Sequence, residues 1–462
     1  MKKTNQAGDG STGSRKSGAL AGVRRRPASA GPTASVQVST AKITPSRLAA
    51  FEILRLVGEG KGHSDELLHT ERVDALSSED RNLTTALVMG VLRWQIALDA
   101  KVHSLLQRPE QRLAEPVAIA LRLGAFQLLH LERIPAHAAL SESVELCRAA
   151  GEPHAAGMVN AVLRKVAAAK PTSQKRDLTQ PKLTSPIFES AAAFAARLGH
   201  PRWLVERWVA AYGREAALKI CEADQQEPSE GAMFARTEED LPHIDDGSRL
   251  AAELSAAAMP NAKRVWDCCA APGGKTLILA KRLEATEVVA SDVSARRLAQ
   301  TEVRLRRYAY AERVRFAVAD AADAKGVEGE FDLVLCDVPC SGTGTLARNP
   351  EIRHRLRVEE LARQADRQKK ILAGALARLS RGGRLVYSTC SLEQEECENV
   401  VDAVLARGGL RRVNVEELLA GMPGDVLSRG VEIGSMVRDG ALRTLPGVHG
   451  CDGFFAVVLE RE

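Results

Sequence analysis

The chain has 462 residues, 45% of them hydrophobic and 27% charged, with 64 Lys and Arg against 59 Asp and Glu. That length exceeds what one hydrophobic core serves, so two or three domains are expected, and no apolar run of about 18 residues offers a membrane span. The net charge of +5 admits an anionic partner without requiring one, and nine cysteines with no C-x-x-C pair argue against a secreted disulfide framework and the usual paired zinc spacing.

Residues 1–43 carry eight Lys and Arg against a single acid, Asp9, and almost no large apolar side chains. This composition predicts a disordered basic tail that can hold RNA loosely, without reading its sequence. The apolar stretch at 20–23 is too short for a signal-peptide core and runs into Arg24, Arg25 and Arg26, so secretion is not expected. Over residues 44–169 the period turns helical. Leu48, Phe51, Ile53, Leu54 and Val57 recur at spacings of three and four, similar stripes follow at 83–98 and 121–129, and together they predict an all-α domain. Residues 170–186, KPTSQKRDLTQPKLTSP, hold three prolines and no period, the pattern of a linker. A small connecting subdomain is expected over 187–260, where Trp203, Leu204 and Trp208 sit at helical spacing as core residues.

The period changes again over residues 261–462. RVWDCCA, EVVASD, VRFAVAD, FDLVLCD and GRLVYSTC are short, nearly continuous apolar runs separated by helix-length segments, which predicts a mostly parallel, Rossmann-like α/β sheet. Ligands of such sheets sit outside the carboxyl ends of the strands. Those ends carry the loop AAPGGKT, Asp292, Asp320, Asp337 with Cys340, and Cys390. The Gly-Lys-Thr of the loop is not a triphosphate-binding P-loop, because Cys269 stands where that motif needs its first glycine. The full G-x-G-x-x-G dinucleotide fingerprint is absent as well. What remains is a tight turn at Gly273 and Gly274 that presents backbone N–H groups near a helix N-terminus, with Lys275 placed to meet a carboxylate. Asp292 is placed to accept from a ribose diol and Asp320 from an adenine amino group. A ligand with carboxylate, ribose and adenine but no phosphates describes S-adenosylmethionine.

DCCAAPGGKT, DVPCSGTG, RNPEIR, YSTCS followed by ECEN, and the terminal DGFFAVVL together resemble the motif set of bacterial RNA (cytosine-5) methyltransferases of the RsmB (Fmu/Sun) type. AAFEILRLV, DRNLTTALVMGVLRW, LRLGAFQLLHLERIPAHAALSESVELC and GMVNAVLRKV are similar to the NusB-like RNA-binding domain that precedes the catalytic domain in that family. The resemblance implies a multidomain chain, an N-terminal all-α NusB-like domain followed by a C-terminal α/β Rossmann-like methyltransferase domain dependent on S-adenosylmethionine. It implies a cofactor cleft formed by Cys269, Ala270, Ala271, Pro272, Gly273, Gly274, Lys275, Asp292, Asp320 and Asp337. It also implies Cys390 as the nucleophile, Cys340 as the product-release group and Asp337 at the edge of the target base. The expected partner is small-subunit (16S) ribosomal RNA before the subunit is fully assembled, bound by a cytoplasmic monomer with no membrane, metal or DNA requirement. A transfer-RNA cytosine methyltransferase and a non-catalytic RNA-binding assembly factor are the alternatives.

The chemistry asks for such a pair. Cytosine carbon 5 is a poor nucleophile until a thiolate adds to carbon 6, and completing the reaction needs a second group beside the ring to help remove the carbon-5 proton and expel the thiol. Cys147, Cys268 and Cys336 instead read as small buried hydrophobes. Arg348, Arg353 and Arg355 are expected to grip RNA phosphates, with specificity drawn from the helical domain and the segment around Trp203. Arg296, Arg297, Arg304, Arg306 and Arg307 read as a solvated helix face.

Overall fold

The computed structural model describes residues 43–169, 190–228, 233–234, 240–283, 287–423, 426–428 and 431–462. The expected tail, apart from its last residue, and the expected linker at 170–186 lie outside the described residues. Among the described residues no helix is long and apolar enough to cross a membrane.

The N-terminal part is helical: Pro45–Gly58, Ser78–Leu105, Glu115–His130, Ala136–Ala149 and Ala156–Ala168, with the short helices Ser64–Leu68 and Glu71–Asp74. Its helix starts are written in the sequence. Pro45 opens the first helix where its missing N–H has no partner to lose, and the Ser77 side chain accepts from the Asp80 N–H. Leu87, Val91, Leu121, Leu123, Leu146 and Leu163 converge in one core. Two glycines let the helices cross closely, since a Cβ on Gly90 would lie 1.9 Å from Phe126 Cζ and one on Gly124 2.5 Å from Leu163 Cδ1.

Three helices follow, Ala191–Arg197, Arg202–Tyr212 and Arg214–Ala223. Phe194, Leu204, Trp208 and Ile220 form their core, and Leu346, Leu392 and Leu445 of the catalytic part enter it. Trp208 is buried and Trp203 partly so, the packing role expected of them. The next helix, Asp246–Ala258, lies upstream of the boundary expected at 261, yet Leu250 and Leu254 pack with Val265 and Leu333 of the sheet. It belongs to the catalytic core.

Among the described residues the sheet has nine strands: β1 Arg264–Asp267, β2 Glu287–Asp292, β3 Val314–Val318, β4 Phe331–Asp337, β5 Leu379–Thr389, β6 Leu410–Val413, β7 Val437–Arg438, β8 Ala441–Arg443 and β9 Phe455–Arg461. Their order is β3-β2-β1-β4-β5-β9-β8-β7, with β6 also paired to β9. The first five strands are parallel and coincide with the five apolar runs of the sequence, whereas β9 runs antiparallel to β5. Side chains alternate between two cores. Val334, Leu385, Tyr387, Phe455 and Val457 face the helices Val358–Leu376 and Glu398–Leu405. Leu333, Leu335, Val386, Ala456 and Val458 face Asp246–Ala258 and Gly274–Arg282. With both faces covered, the parallel strands must be apolar throughout, and the polar chemistry is displaced to their carboxyl ends.

Candidate active site

The loop from Cys268 to Gly273 leaves β1 between its two neighbours. Cys268 N–H donates to Leu335 O at 3.0 Å and Ala270 N–H to Ser291 O at 2.8 Å, which fastens the loop to β4 and β2. The Ala271–Pro272 bond is cis, and Gly273, at φ 98°, stands at the N-cap of helix Gly274–Arg282. A Cβ on Gly273 would lie 2.6 Å from Thr301 Cγ2, and one on Gly274 2.6 Å from Ile244 Cγ2. Close packing by the protein therefore requires both glycines, a role beyond the ligand approach expected of them. Arg297 donates to Ala271 O at 2.9 Å and Arg304 to Pro272 O at 3.4 Å, so the arginine-rich helix, though exposed, also pins this loop.

The acids stand at successive strand ends. Asp292 Oδ1 accepts from the Ser294 N–H at 2.9 Å, with Arg297 Nη1 3.7 Å from Oδ2. Asp320, exposed just past β3, accepts from the Ala322 N–H at 2.9 Å. Asp337 Oδ1 accepts from Ser388 Oγ at 2.7 Å and its Oδ2 pairs with Lys275 Nζ at 2.8 Å. Lys275 thus meets a carboxylate of the protein itself. Burial works against the Lys275 charge, but Asp337 outweighs it and holds the ammonium above its usual range. The same Nζ donates to Ser248 Oγ at 2.5 Å.

The two cysteines meet. Cys340 Sγ and Cys390 Sγ are 3.2 Å apart, both partly exposed, on loops leaving the adjacent parallel strands β4 and β5. The hydrogen bond to Cys390, then burial, push the Cys340 thiol well above its ordinary range. The loops are also tied through backbone and hydroxyls: Gly344 N–H donates to Cys390 O at 2.9 Å and Leu392 N–H to Thr343 Oγ1 at 2.9 Å. Cys147, Cys268 and Cys336 are buried, as expected of them.

The segment after Cys340 turns Arg353 and Arg355 onto the protein's own carbonyls. Arg353 is buried, donating to the carbonyls of Arg93, Gly199, Asp224 and Leu346 at 3.1–3.4 Å. Arg355 donates to Val57 O and Gly62 O at 2.6 Å, and the half-buried ring of His354 lies 2.7 Å from Leu92 O, its pKa lowered to about 4 by loss of solvent. Arg348 pairs with Asp452 at 2.8 Å. Glu351, fully enclosed, accepts from Ser64 N–H at 3.0 Å and Ser64 Oγ at 2.8 Å. RNPEIR is accordingly the joint between the helical domain and the catalytic loop, which corrects the phosphate-gripping expectation for Arg353 and Arg355, while Arg348 keeps 40% of its side chain exposed. On the other side Arg207 pairs with Glu393 at 2.6 Å and Trp208 Nε1 donates to Glu393 at 3.0 Å, bracing the turn after Cys390.

Sequence reasoning overlooked Asp267, at the carboxyl end of β1. It is buried, accepts from Thr276 Oγ1 at 2.6 Å, and its Oδ1 has no hydrogen-bond partner among the described residues. Burial, with Asp337 nearby, lifts its pKa to about 7. The signal was available, since the reading of strand-end acids that singles out Asp292 and Asp337 applies equally to Asp267. Ser248 was overlooked too, because only the fold brings it to the cleft, and Glu396 opens the ECEN motif but was given no role.

A family model described as 16S rRNA methyltransferase RsmB/F matches residues 255–460, and the NusB family model matches 44–168. Ribosomal RNA small subunit methyltransferase B of Xanthomonas campestris pv. campestris is 32% identical, over 90% of this chain and 96% of that protein. The probable ribosomal RNA small subunit methyltransferase B of Bacillus subtilis is 29% identical, over 91% of this chain and 100% of that one. The solved structure of PH0851 has the same fold, with a TM-score of 0.66 at 21% identity over 91% of this chain and 99% of its own. The relatives align across the helical domain, the joint and the sheet alike, so the chain belongs to the RsmB family of S-adenosylmethionine-dependent small-subunit ribosomal RNA methyltransferases.

Proposed function

We propose that the protein methylates carbon 5 of a cytidine in small-subunit ribosomal RNA through a covalent adduct with Cys390. The observation that carries this reading is the 3.2 Å approach of Cys340 and Cys390 at the ends of the adjacent parallel strands β4 and β5, which sets a second thiol beside the attacking sulfur. Cys390 Sγ bonds to carbon 6, and the electron pair of the 5,6 double bond becomes available at carbon 5. Asp337, beside the cleft and held by Ser388 and Lys275, takes the pyrimidine N3 edge. To finish, Cys340 gives its proton to the departing Cys390 sulfur as the carbon–sulfur bond breaks and takes the proton from carbon 5. The ring double bond reforms, both thiols end protonated, and the pair releases the one proton gained from carbon 5 to solvent before Cys390 attacks again.

The residues present fit the cofactor. Asp267 Oδ1 is buried with no hydrogen-bond partner among the described residues, Gly273 heads a nine-residue helix, and Val293 and Val318 stay exposed at 57% and 55% beside Asp292 and Asp320. Asp267 suits the amino end of the ligand, the Gly273 turn its carboxylate, Asp292 its ribose, and Asp320 with the two valines its adenine. When bound, S-adenosylmethionine supplies the methyl group to carbon 5.

The test is adduct trapping with ribosomal RNA and S-adenosylmethionine. Cys340→Ala accumulates a denaturant-resistant protein–RNA adduct and Cys390→Ala forms none; the reverse pattern exchanges the roles, and no adduct with no methyl transfer by the unaltered protein defeats the reading. Mapping modified cytosines in ribosomal and transfer RNA, with and without the protein, separates it from a transfer-RNA enzyme.

A further inference from the structure

The turn Gln394–Glu396 carries a carboxylate that touches neither cysteine but holds the residues that follow both. Glu396 is fully buried. Its Oε1 accepts from the Ser341 N–H at 2.8 Å and from Gln368 Nε2 at 3.0 Å. Its Oε2 accepts from Ser391 Oγ at 2.6 Å and from Ser341 Oγ. Ser341 directly follows Cys340 and Ser391 directly follows Cys390, while Gln368 Nε2 also donates to Pro339 O, just before Cys340. All four donors are neutral. Burying a carboxylate against neutral donors is costly, yet a carboxylate is the one side chain that accepts along four directions at once and donates along none. It fixes which way each hydroxyl points, and with them the two loops.

We infer that Glu396 is the positioning residue of the thiol pair, clamping the Cys340 and Cys390 loops at their sulfur separation. The inference rests on the two-cysteine reading above. The negative charge of Glu396 acts on Cys340, adding to the effect of Cys390 and of burial. The other titratable groups near the pair are Lys275, which interacts with Cys390, and Tyr387, beside Cys340, whose hydroxyl donates to Glu396 O at 2.7 Å. Lys275 is a cation on the Cys390 side and the Tyr387 phenol is held neutral by burial, so among these groups Glu396 is the anion that bears on Cys340.

The experiment compares the full-length protein with Glu396→Gln and Ser391→Ala. Glutamine keeps one acceptor and offers an amide to hydroxyls that can turn to accept from it, so it removes the charge and spares most of the tie. Iodoacetamide capture of each cysteine is followed against pH by peptide mass spectrometry without RNA, and methyl transfer is measured in parallel. In Glu396→Gln the Cys340 profile moves down by about one pH unit, as expected when a neighbouring like charge is removed. There kcat falls at least about tenfold with KM for RNA unchanged, as for a group that acts only on the reacting geometry. Ser391→Ala lowers kcat and leaves the Cys340 profile in place. Cysteine profiles in Glu396→Gln that superimpose on those of the unaltered protein overturn the inference. If Glu396→Gln does not fold, an unchanged kcat in Ser391→Ala overturns it instead. If the profiles shift as expected but the unaltered protein transfers no methyl group to RNA, the positioning stands and the cytosine-5 reading falls.

Discussion

Lys275 Nζ lies 2.8 Å from Asp337 Oδ2, an ion pair that joins the loop after β1 to the end of β4 at the mouth of the cysteine cleft. The lysine is nearly buried and the aspartate about a quarter exposed, so removing one partner leaves a charge that water screens only in part. Lys275→Met is expected to lower kcat by about 100-fold, the usual scale for losing a preorganised electrostatic partner. In thermal melts, a double-mutant cycle with Asp337→Asn should give a coupling of about 1 kcal/mol or more, and additive effects would mean that the pair does not set the cleft.

Arg353 separates two uses of a guanidinium. As the joint of three segments it donates to carbonyls from the helical domain, the connecting helices and the catalytic loop. Arg353→Met leaves those oxygens short of donors and is expected to cost about 2 kcal/mol in urea unfolding. Lysine should rescue it poorly, because one ammonium cannot span the fork of contacts. The dependence of RNA affinity on salt should keep its slope. A slope reduced by about one would restore the phosphate contact that the fold argues against.

The same residue shows where sequence reading stops. The five parallel strands were legible because a strand covered on both faces must be apolar along its length, and their acidic or cysteine-bearing ends followed from that. Whether an arginine next to a catalytic loop meets phosphate or backbone carbonyl is not legible, since one set of N–H donors serves both and only burial distinguishes them. Gly273 and Gly274 were noticed for a ligand, but Thr301, Leu305 and Ile244 fill the space a Cβ would need, and those partners lie in other segments. Asp267 was legible and overlooked. Glu396 was not legible, because its four donors are spread over residues 341–391 and their convergence is a property of the folded loops.

Gly90 tests the packing of the helical domain. Its helix crosses Glu115–His130 where the Phe126 ring occupies the space of a Cβ. Gly90→Ala gains helix propensity but forces the ring to move, for a net loss of about 1–3 kcal/mol. Gly90→Ala combined with Phe126→Leu should recover part of that loss in chemical denaturation. A stabilised single variant would show that the helices can part at no cost.

Asp267 makes a prediction in pH. Its pKa is raised from 3.8 to about 7 by burial, so the folded protein binds a proton there that the unfolded chain has already released. Stability from this group is fully present below about pH 4 and is lost as pH rises to about 7. Asp267→Asn keeps an acceptor for Thr276 and removes the titration. Its melting temperature relative to the unaltered protein should therefore climb between pH 4 and 7 and level off above, in melts without cofactor. The carboxylate form is also the one that attracts the ammonium end of S-adenosylmethionine. Calorimetric titration of the unaltered protein should show tighter binding at pH 8 than at pH 6, with Asp267→Asn weaker at pH 8 and flatter between the two. Parallel melting profiles for the two proteins would mean that Asp267 is charged throughout this range, and the unpartnered oxygen would then need a cation of the protein to explain it.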